Sequence, residues 1–417
     1  MKVLWISHTS FPEALAKIVK TTGKHRGSGG WLFDSAKYLS ERDDISLYIA
    51  FVSTEVSEIK EVTIGRIKYF IIPSKGGIDK PHHYFDKYWK EITNSVEPDI
   101  VHVHGIESCL ALTYIRVCGG EKVVCSMQGL PNIISRYLLH GTSRWEMIKN
   151  ITIRDILRGN NYLTLLNDNE RKDKMIRETM KSAGAFIGRT SWDKAHLWAV
   201  NPQARYFFCN ETMRSGFYNR KWSYGECEPH TIFISAMKGI HNFFKALPLI
   251  IREYPETKVN VATGGNLFQM DKKKKLMMTG YENYIKTMIV SNKLEKHVCF
   301  LGPLTEDQMI DSYLKCNVFV SPSQCENSSN SVCEAQLLGV PLAASYVGGM
   351  HDLIPDICCG RLYRCEEFEM LAKSVCDLFE TSSSFDNSVV RSIALKRHDA
   401  KINAKRTIEI YTTIMEL

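Results

Sequence analysis

The chain has 417 residues, 44% of them hydrophobic and 24% charged, with a formal net charge of +7. That length points to two domains, each able to bury a core without disulfide or metal staples. No stretch approaches the roughly eighteen apolar residues of a spanning helix, the opening Met1-Lys-Val-Leu-Trp-Ile-Ser is too short for the apolar region of a secretory leader, and the mild positive charge does not choose among an anionic small molecule, an anionic lipid surface and nucleic acid.

The 13 cysteines are scattered, many within apolar runs such as Val123-Val-Cys-Ser, and no Cys-x-x-Cys is matched by a second. That pattern fits reduced core thiols in a cytoplasmic protein and fits a zinc site poorly.

Residues 3–7 read as a first strand. A polar connection over 8–30 follows, ending Gly27-Ser-Gly29-Gly30, and residues 31–39 read as a helix. A glycine-rich turn between a first strand and a helix is the phosphate-cradling position of a doubly wound sheet, although this one lacks the spacing of a dinucleotide fingerprint and fits a flexible turn with solvated lysines as well. Residues 46–52 and 64–72 read as strands, and 84–96 as an aromatic helix. Asp99-Ile-Val-His102-Val-His104-Gly is a buried strand whose two histidines share one face; with no third ligand in view, they read as strand-tip or core residues. The strand at 122–127 ends in Gln128-Gly-Leu-Pro.

Residues 133–159 combine Ile, Leu, Tyr and Trp with Arg136, Arg144, Lys149, Arg154 and Arg158. This is either a basic amphipathic segment for an anionic lipid surface or an ordinary surface helix. Residues 170–182 carry both charge signs and read as solvated. Ala185-Phe-Ile-Gly-Arg189-Thr-Ser-Trp-Asp193 is a strand, a turn and a capped helix start, with Arg189 placed to pair with a phosphate or with Asp193. The polar run 221–229 is the linker expectation, after which alternating strands and helices announce a second parallel sheet. Its first turn carries Lys238-Gly; 272–275 is a charge run read as solvated.

Residues 318–350 are the most informative. Val318-Phe-Val is a buried strand, 321–329 a polar loop, and Asn330 and Ser331 are cap-type residues ahead of a helix that ends at Gly339 with Pro341 beyond it. Glu326 lies in the loop and Glu334 early in the helix, with seven residues between them. The unpaired amides of a helix start form an anion site, and carboxylates accept hydrogen bonds from sugar diols, so one short stretch can take a nucleoside, a diphosphate and a sugar in a row. The competing reading is a capping box, Ser331-x-x-Glu334. Helices over 306–313, 366–379 and 400–415 complete the chain.

The run from Glu326 through Glu334-Ala-x-x-x-Gly-x-Pro to Gly348-Gly349 resembles the signature of glycosyltransferase family 4, in the variety found in bacterial surface-polysaccharide assembly. The resemblance implies an α/β fold of two Rossmann-like, doubly wound parallel-sheet domains facing a cleft (GT-B). The expected division is an acceptor domain over 1–220, a donor domain over 221–399 and a helix over 400–417 crossing back to the first domain. It implies a retaining, nucleotide-sugar-dependent hexosyltransferase. Glu326 would bind the transferred sugar, Glu334 the ribose, and the amides around Ser329, Asn330, Ser331 and Val332 the sugar and phosphates, while Lys238 would grip the diphosphate. Gln128 stands where many relatives carry a histidine facing the donor sugar. Gly29, Gly30, His104 and Arg189 fall near the donor phosphates and acceptor. The arginine that often precedes the lysine is here Ile232, which breaks the usual pair.

No acidic metal motif is found, so the expected enzyme is metal-independent and has no cofactor. The expected partners are a nucleotide-sugar donor, a glycan or lipid-linked acceptor and an anionic membrane surface, with no nucleic acid. The expected setting is the cytoplasm, with peripheral attachment at the inner face of the plasma membrane. A non-catalytic nucleotide-sugar-binding subunit and a nucleotide-sugar epimerase of the same fold are the alternatives.

Overall fold

The structure is a computed structural model that describes residues 1–19, 30–75, 77–159, 161–262, 265–269 and 276–416. Its contacts divide it into two units. One comprises Met1–Asn132, Arg171–Arg214 and His398–Leu417, the other Ile133–Glu170 and Ser215–Arg397.

The first unit is built on β1 (Lys2–Ser7), β2 (Ser46–Ser53), β3 (Lys60–Ile64), β4 (Ile67–Pro73), β5 (Ile100–His104), β6 (Val123–Ser126), β7 (Ala185–Gly188) and β8 (Arg205–Phe208), in the order β3-β4-β2-β1-β5-β6-β7-β8. The central strands are buried on both faces because helices cover both sides of a parallel sheet. The strand expected over 64–72 is in fact half of a hairpin. Gly65, at φ +57°, turns the chain between Ile64 and Ile67, and β3 returns antiparallel to β4 as an edge strand. The helix Asp173–Ser182, read as solvated, buries Met175, Ile176 and Met180 on one face.

Trp5, His102 and Tyr411 tie this unit's first and last elements together. Trp5 Nε1 donates to the Tyr411 hydroxyl at 3.0 Å, and His102 is held between that hydroxyl and Ser126 Oγ, both at 2.6 Å. Burial pushes His102 down to about 3 and holds His104 well below its ordinary value. In the second unit His241 is pushed down to about 4 by burial. Each ring is neutral when folded and takes up a proton near pH 6.5 when unfolded, so stability falls as pH drops from about 6.5 toward these values, by roughly 1.4 kcal/mol per pH unit per histidine. Urea titrations from pH 7 to pH 4.5 should show that slope, and His241→Gln should flatten it whatever its effect at pH 7; an unchanged slope would contradict the assignment.

The second unit is built on β9 (Thr231–Ile234), β10 (Lys258–Val261), β11 (Val298–Phe300), β12 (Val318–Ser321), β13 (Leu342–Ser345) and β14 (Arg361–Tyr363), all parallel, in the order β11-β10-β9-β12-β13-β14. The strand order reverses between β9 and β12, and in open α/β sheets ligands bind outside the carboxyl ends of the strands at such a point.

Two boundaries differ from expectation. Residues 133–170 group with the second unit, although they precede two strands of the first. They form short helices, including Arg144–Lys149 and Ile153–Arg158, each opened by a capping box. Asp155 also accepts from the Gly280 amide at 2.7 Å, so one buried carboxylate caps two helices. The run 221–229 lies within the second unit, where Trp222 is buried and donates to the Cys316 carbonyl at 2.8 Å; the grouping changes at Arg214 instead. The helix Ala400–Met415 belongs to the first unit. No helix among the described residues is long and apolar enough to cross a membrane.

Candidate active site

The loops leaving β9 and β12 meet at the switch point of the second sheet, and two glycines permit the contact. Gly239, at φ +67°, closes the loop after β9; a Cβ there would sit 1.9 Å from the Pro322 carbonyl oxygen. Gly348, at φ +53°, lies in the turn after β13; a Cβ there would sit 1.8 Å from the Glu326 carbonyl oxygen. The Gly349 amide then donates to that same oxygen at 3.0 Å. The loop 322–326 is thus gripped from both sides by backbone that no larger residue can supply.

Glu326 is fixed by this grip and by Ser323 Oγ, which donates to its Oε1 at 2.9 Å. Lys238 Nζ donates to the same carboxylate, at 3.1 Å to Oε1 and 3.4 Å to Oε2. The two sides of the pair are unlike: the Glu326 side chain is 16% exposed and that of Lys238 is 62% exposed. The carboxylate raises the Lys238 pKa, so the ammonium stays charged at neutral pH while reaching into solvent.

The helix Asn330–Leu338 follows, and its N-cap is Ser329, whose side chain makes no capping bond. Neither Asn330 nor Ser331 is the cap, so the capping box of Ser331 and Glu334 does not form. Glu334 lies in the second turn, buried, one turn beyond Asn330 on the same face. Neither the sugar-site nor the capping reading of Glu334 expected a core position, and its burial corrects that. Asn330 Oδ1 is buried without a hydrogen-bond partner. The first-turn amides of Asn330, Ser331 and Val332 have no intrahelical acceptor, which leaves donors for an anion. Tyr313, donating to the Ser331 carbonyl at 3.0 Å, and Gln336, donating to the Leu353 and Cys359 carbonyls, hold the helix in place.

The remaining expected residues belong to the first unit. Arg189 forms an ion pair with Glu211 and donates to Gln128 Oε1 at 3.2 Å, and Gln128 Nε2 donates to Glu211 Oε1 at 2.7 Å. This closed ring corrects the side-chain pairing with Asp193 expected of Arg189. Its guanidinium is engaged by Glu211, and Asp193 instead accepts from its backbone amide at 2.9 Å. His104 lines the same small cavity, about 50 Å³, edge-on to Trp5 and tilted against His102, with ring centroids 4.4 Å and 3.9 Å away. Gly29 lies outside the described residues, and Gly30 opens the helix Gly30–Ser40. Sequence reasoning missed Glu211, which stands in a polar run with no motif, and Ser323, three residues before Glu326.

Residues 233–404 match the family described as glycosyl transferases group 1. The sulfoquinovosyl transferase of Arabidopsis thaliana is 25% identical over 262 residues, 62% of this chain and 45% of its own length. The phosphatidylinositol N-acetylglucosaminyltransferase GPI3 subunit of Saccharomyces cerevisiae is 28% identical over 139 residues, 30% of this chain and 28% of its own. The chain therefore matches less than half the length of either relative. Among solved structures, sucrose-phosphate synthase from Thermosynechococcus elongatus has a TM-score of 0.70 over 100% of this chain and 99% of its own, at 14% identity. Anabaena HepE in complex with UDP and glucose has a TM-score of 0.62, covering 99% of each chain at 15% identity. At those identities the likeness is one of fold.

Proposed function

We propose that the protein, whose residues 233–404 match the group 1 glycosyl transferases, moves a hexose, with retention, from a nucleoside-diphosphate sugar to a glycan or lipid-linked acceptor in the making of surface polysaccharide. The observation that carries the reading is the Lys238–Glu326 pair beside the open amides of the helix Asn330–Leu338. Departure of a nucleoside diphosphate leaves negative charge on the phosphates. An exposed, fully charged ammonium and a helix N-terminus are fixed donors for that charge. When the diphosphate arrives, Lys238 exchanges Glu326 for phosphate, and the freed carboxylate accepts from the sugar hydroxyls. Glu334, one turn further on, receives the ribose diol. Attack from the face that the leaving group vacates, with the departing phosphate taking the acceptor proton, gives retention. Gln128 carries no basic nitrogen, so its role is confined to hydrogen bonding. With the charge met by Lys238 and amides, transfer needs no divalent metal.

A second reading, a non-catalytic nucleotide-sugar-binding subunit, draws on Ile232 lying buried in β9 where relatives often have an arginine, while Arg189 is held by Glu211. The test is a thermal-shift screen of nucleotide sugars, followed by turnover of the best binder with and without EDTA. We expect a UDP-sugar to stabilise the protein and turnover to survive EDTA. Loss of turnover restored by magnesium would overturn metal independence. Binding with neither transfer nor donor hydrolysis would favour the subunit, and conversion of the donor to its epimer would identify an epimerase.

A further inference from the structure

A second cavity of about 450 Å³ lies wholly within the second unit, between residues 133–170 and the loops that carry the candidate site. Its size is that of a small-molecule site. Ile134, Leu138, Tyr162, Leu165, Met237 and Tyr281 line it. Tyr162 and Tyr281 are stacked, with centroids 5.2 Å apart and planes 14° apart. Their hydroxyls are turned to backbone: that of Tyr281 donates to the Met237 carbonyl at 3.1 Å, and that of Tyr162 to the Leu138 carbonyl. The rings therefore contribute apolar wall rather than polar groups seeking a polar ligand.

The cations in and around the cavity limit what it can hold. Lys238 and Arg154 form part of the wall, the first being the lysine of the candidate site. The adjoining helices Arg144–Lys149 and Ile153–Arg158 add Arg144, Lys149 and Arg158. The acids there are engaged as well: Glu146 by the Ser143 amide and Tyr284, and Asp155, itself part of the wall, by the Thr152 and Gly280 amides and by Arg154 at 3.0 Å, so Arg154 is paired within the wall and Lys238 is its exposed cation. Ile153, Ile156 and Leu157 stand 66%, 72% and 81% exposed on that last helix, among arginines. An apolar chamber with an exposed ammonium at its wall matches an anionic amphiphile and mismatches a free sugar.

We infer that this cavity takes the hydrocarbon chain of a phosphate-bearing lipid acceptor, with its head group beside Lys238. The inference rests on the glycosyltransferase reading for the acceptor role; the binding itself does not. It gives residues 133–170 a purpose in their place on the second unit: they bring the acceptor's apolar end to the loops that hold Lys238 and Glu326.

The test uses the whole chain and the monomeric series octyl, decyl and dodecyl phosphate, each below its micelle concentration, with inorganic phosphate and dodecyl maltoside as controls. Titration calorimetry should show affinity rising about fourfold per added methylene until the cavity is filled. Dodecyl maltoside should bind at least tenfold more weakly. Leu165→Trp, which fills the cavity from its partly exposed wall, should abolish binding, whereas Leu157→Asp, outside it, should not. Affinity independent of chain length, or equal to that of inorganic phosphate, would overturn the inference, as would undiminished binding in a folded Leu165→Trp. UDP-sugar binding measured in parallel separates the two readings: donor binding without chain-length dependence sinks the cavity assignment alone. Chain-dependent binding without any donor sinks the transferase reading and leaves the cavity standing.

Discussion

Gly348→Ala is expected to lower turnover by about a hundredfold or more while leaving the protein folded. The glycine has φ +53°, and an added Cβ would lie 1.8 Å from the Glu326 carbonyl oxygen. No side-chain rotation relieves a contact between backbone atoms, so the turn or the loop 322–326 must shift. Either shift moves the Glu326 carboxylate and, through it, Lys238. A misplacement of about 1 Å at a reacting centre costs on the order of a hundredfold in rate. The loss should fall mainly on kcat, because the helix amides proposed to receive the diphosphate lie on a separate element. Gly65→Ala, at a hairpin glycine with no atom within 4 Å of an added Cβ, is the control for backbone strain alone. Equal turnover for the two variants would show that the grip on Glu326 does not matter.

The second large effect separates the two carboxylates. Glu334→Gln keeps one acceptor and loses the charge-assisted bond to a ribose diol. A hydrogen bond to a charged group contributes about 1.5–3 kcal/mol, so donor affinity should fall roughly tenfold to a hundredfold. A helix cap cannot account for such a loss, since the cap is Ser329. Because Glu334 is buried, the variant's melting temperature without ligand should be measured first, and a modest drop is compatible with the reading. Glu326→Gln should instead lower turnover with little change in nucleotide affinity, because its carboxylate is proposed to hold the sugar. It also removes the charge that raises the Lys238 pKa. Unchanged donor affinity and turnover in both folded variants would end the reading of this stretch as an active site.

Much of this was legible from residue pattern. The strand, polar loop, helix and glycine turn over 318–350 stand where the apolar runs and turn residues put them, because each is decided locally. Gly339 at φ +77° closes its helix as a terminal glycine should. What the sequence hid was set by partners distant in the chain. The ring of Gln128, Arg189 and Glu211 joins three loops, and nothing near Glu211 marks it. The cap at Ser329 rather than Asn330 or Ser331 reflects how the whole helix docks: Val332 through Leu338 are all buried, and that register leaves the cap-type side chains inside the first turn. The grouping of residues 133–170 with the second unit was invisible for the same reason, since Glu146, accepting from Tyr284, and Asp155, accepting from the Gly280 amide, hold them to a helix that begins at Gly280.

The hydrogen bond between Trp5 and Tyr411 spans 406 positions of chain. It has a consequence for how the protein is made. Synthesis proceeds from the first residue at roughly 5–20 residues per second, so β1 leaves the ribosome long before the helix that seals it. Until Tyr411 emerges, Trp5 and His102 lack the hydroxyl they share, and the core of the first unit stays open on that side. The second unit has all its strands translated by Tyr363, before the final helix exists. The order of completion therefore runs against the order of the sequence: the unit that starts first closes last, and a nascent protein exposes that apolar surface from the emergence of Trp5 until that of Tyr411.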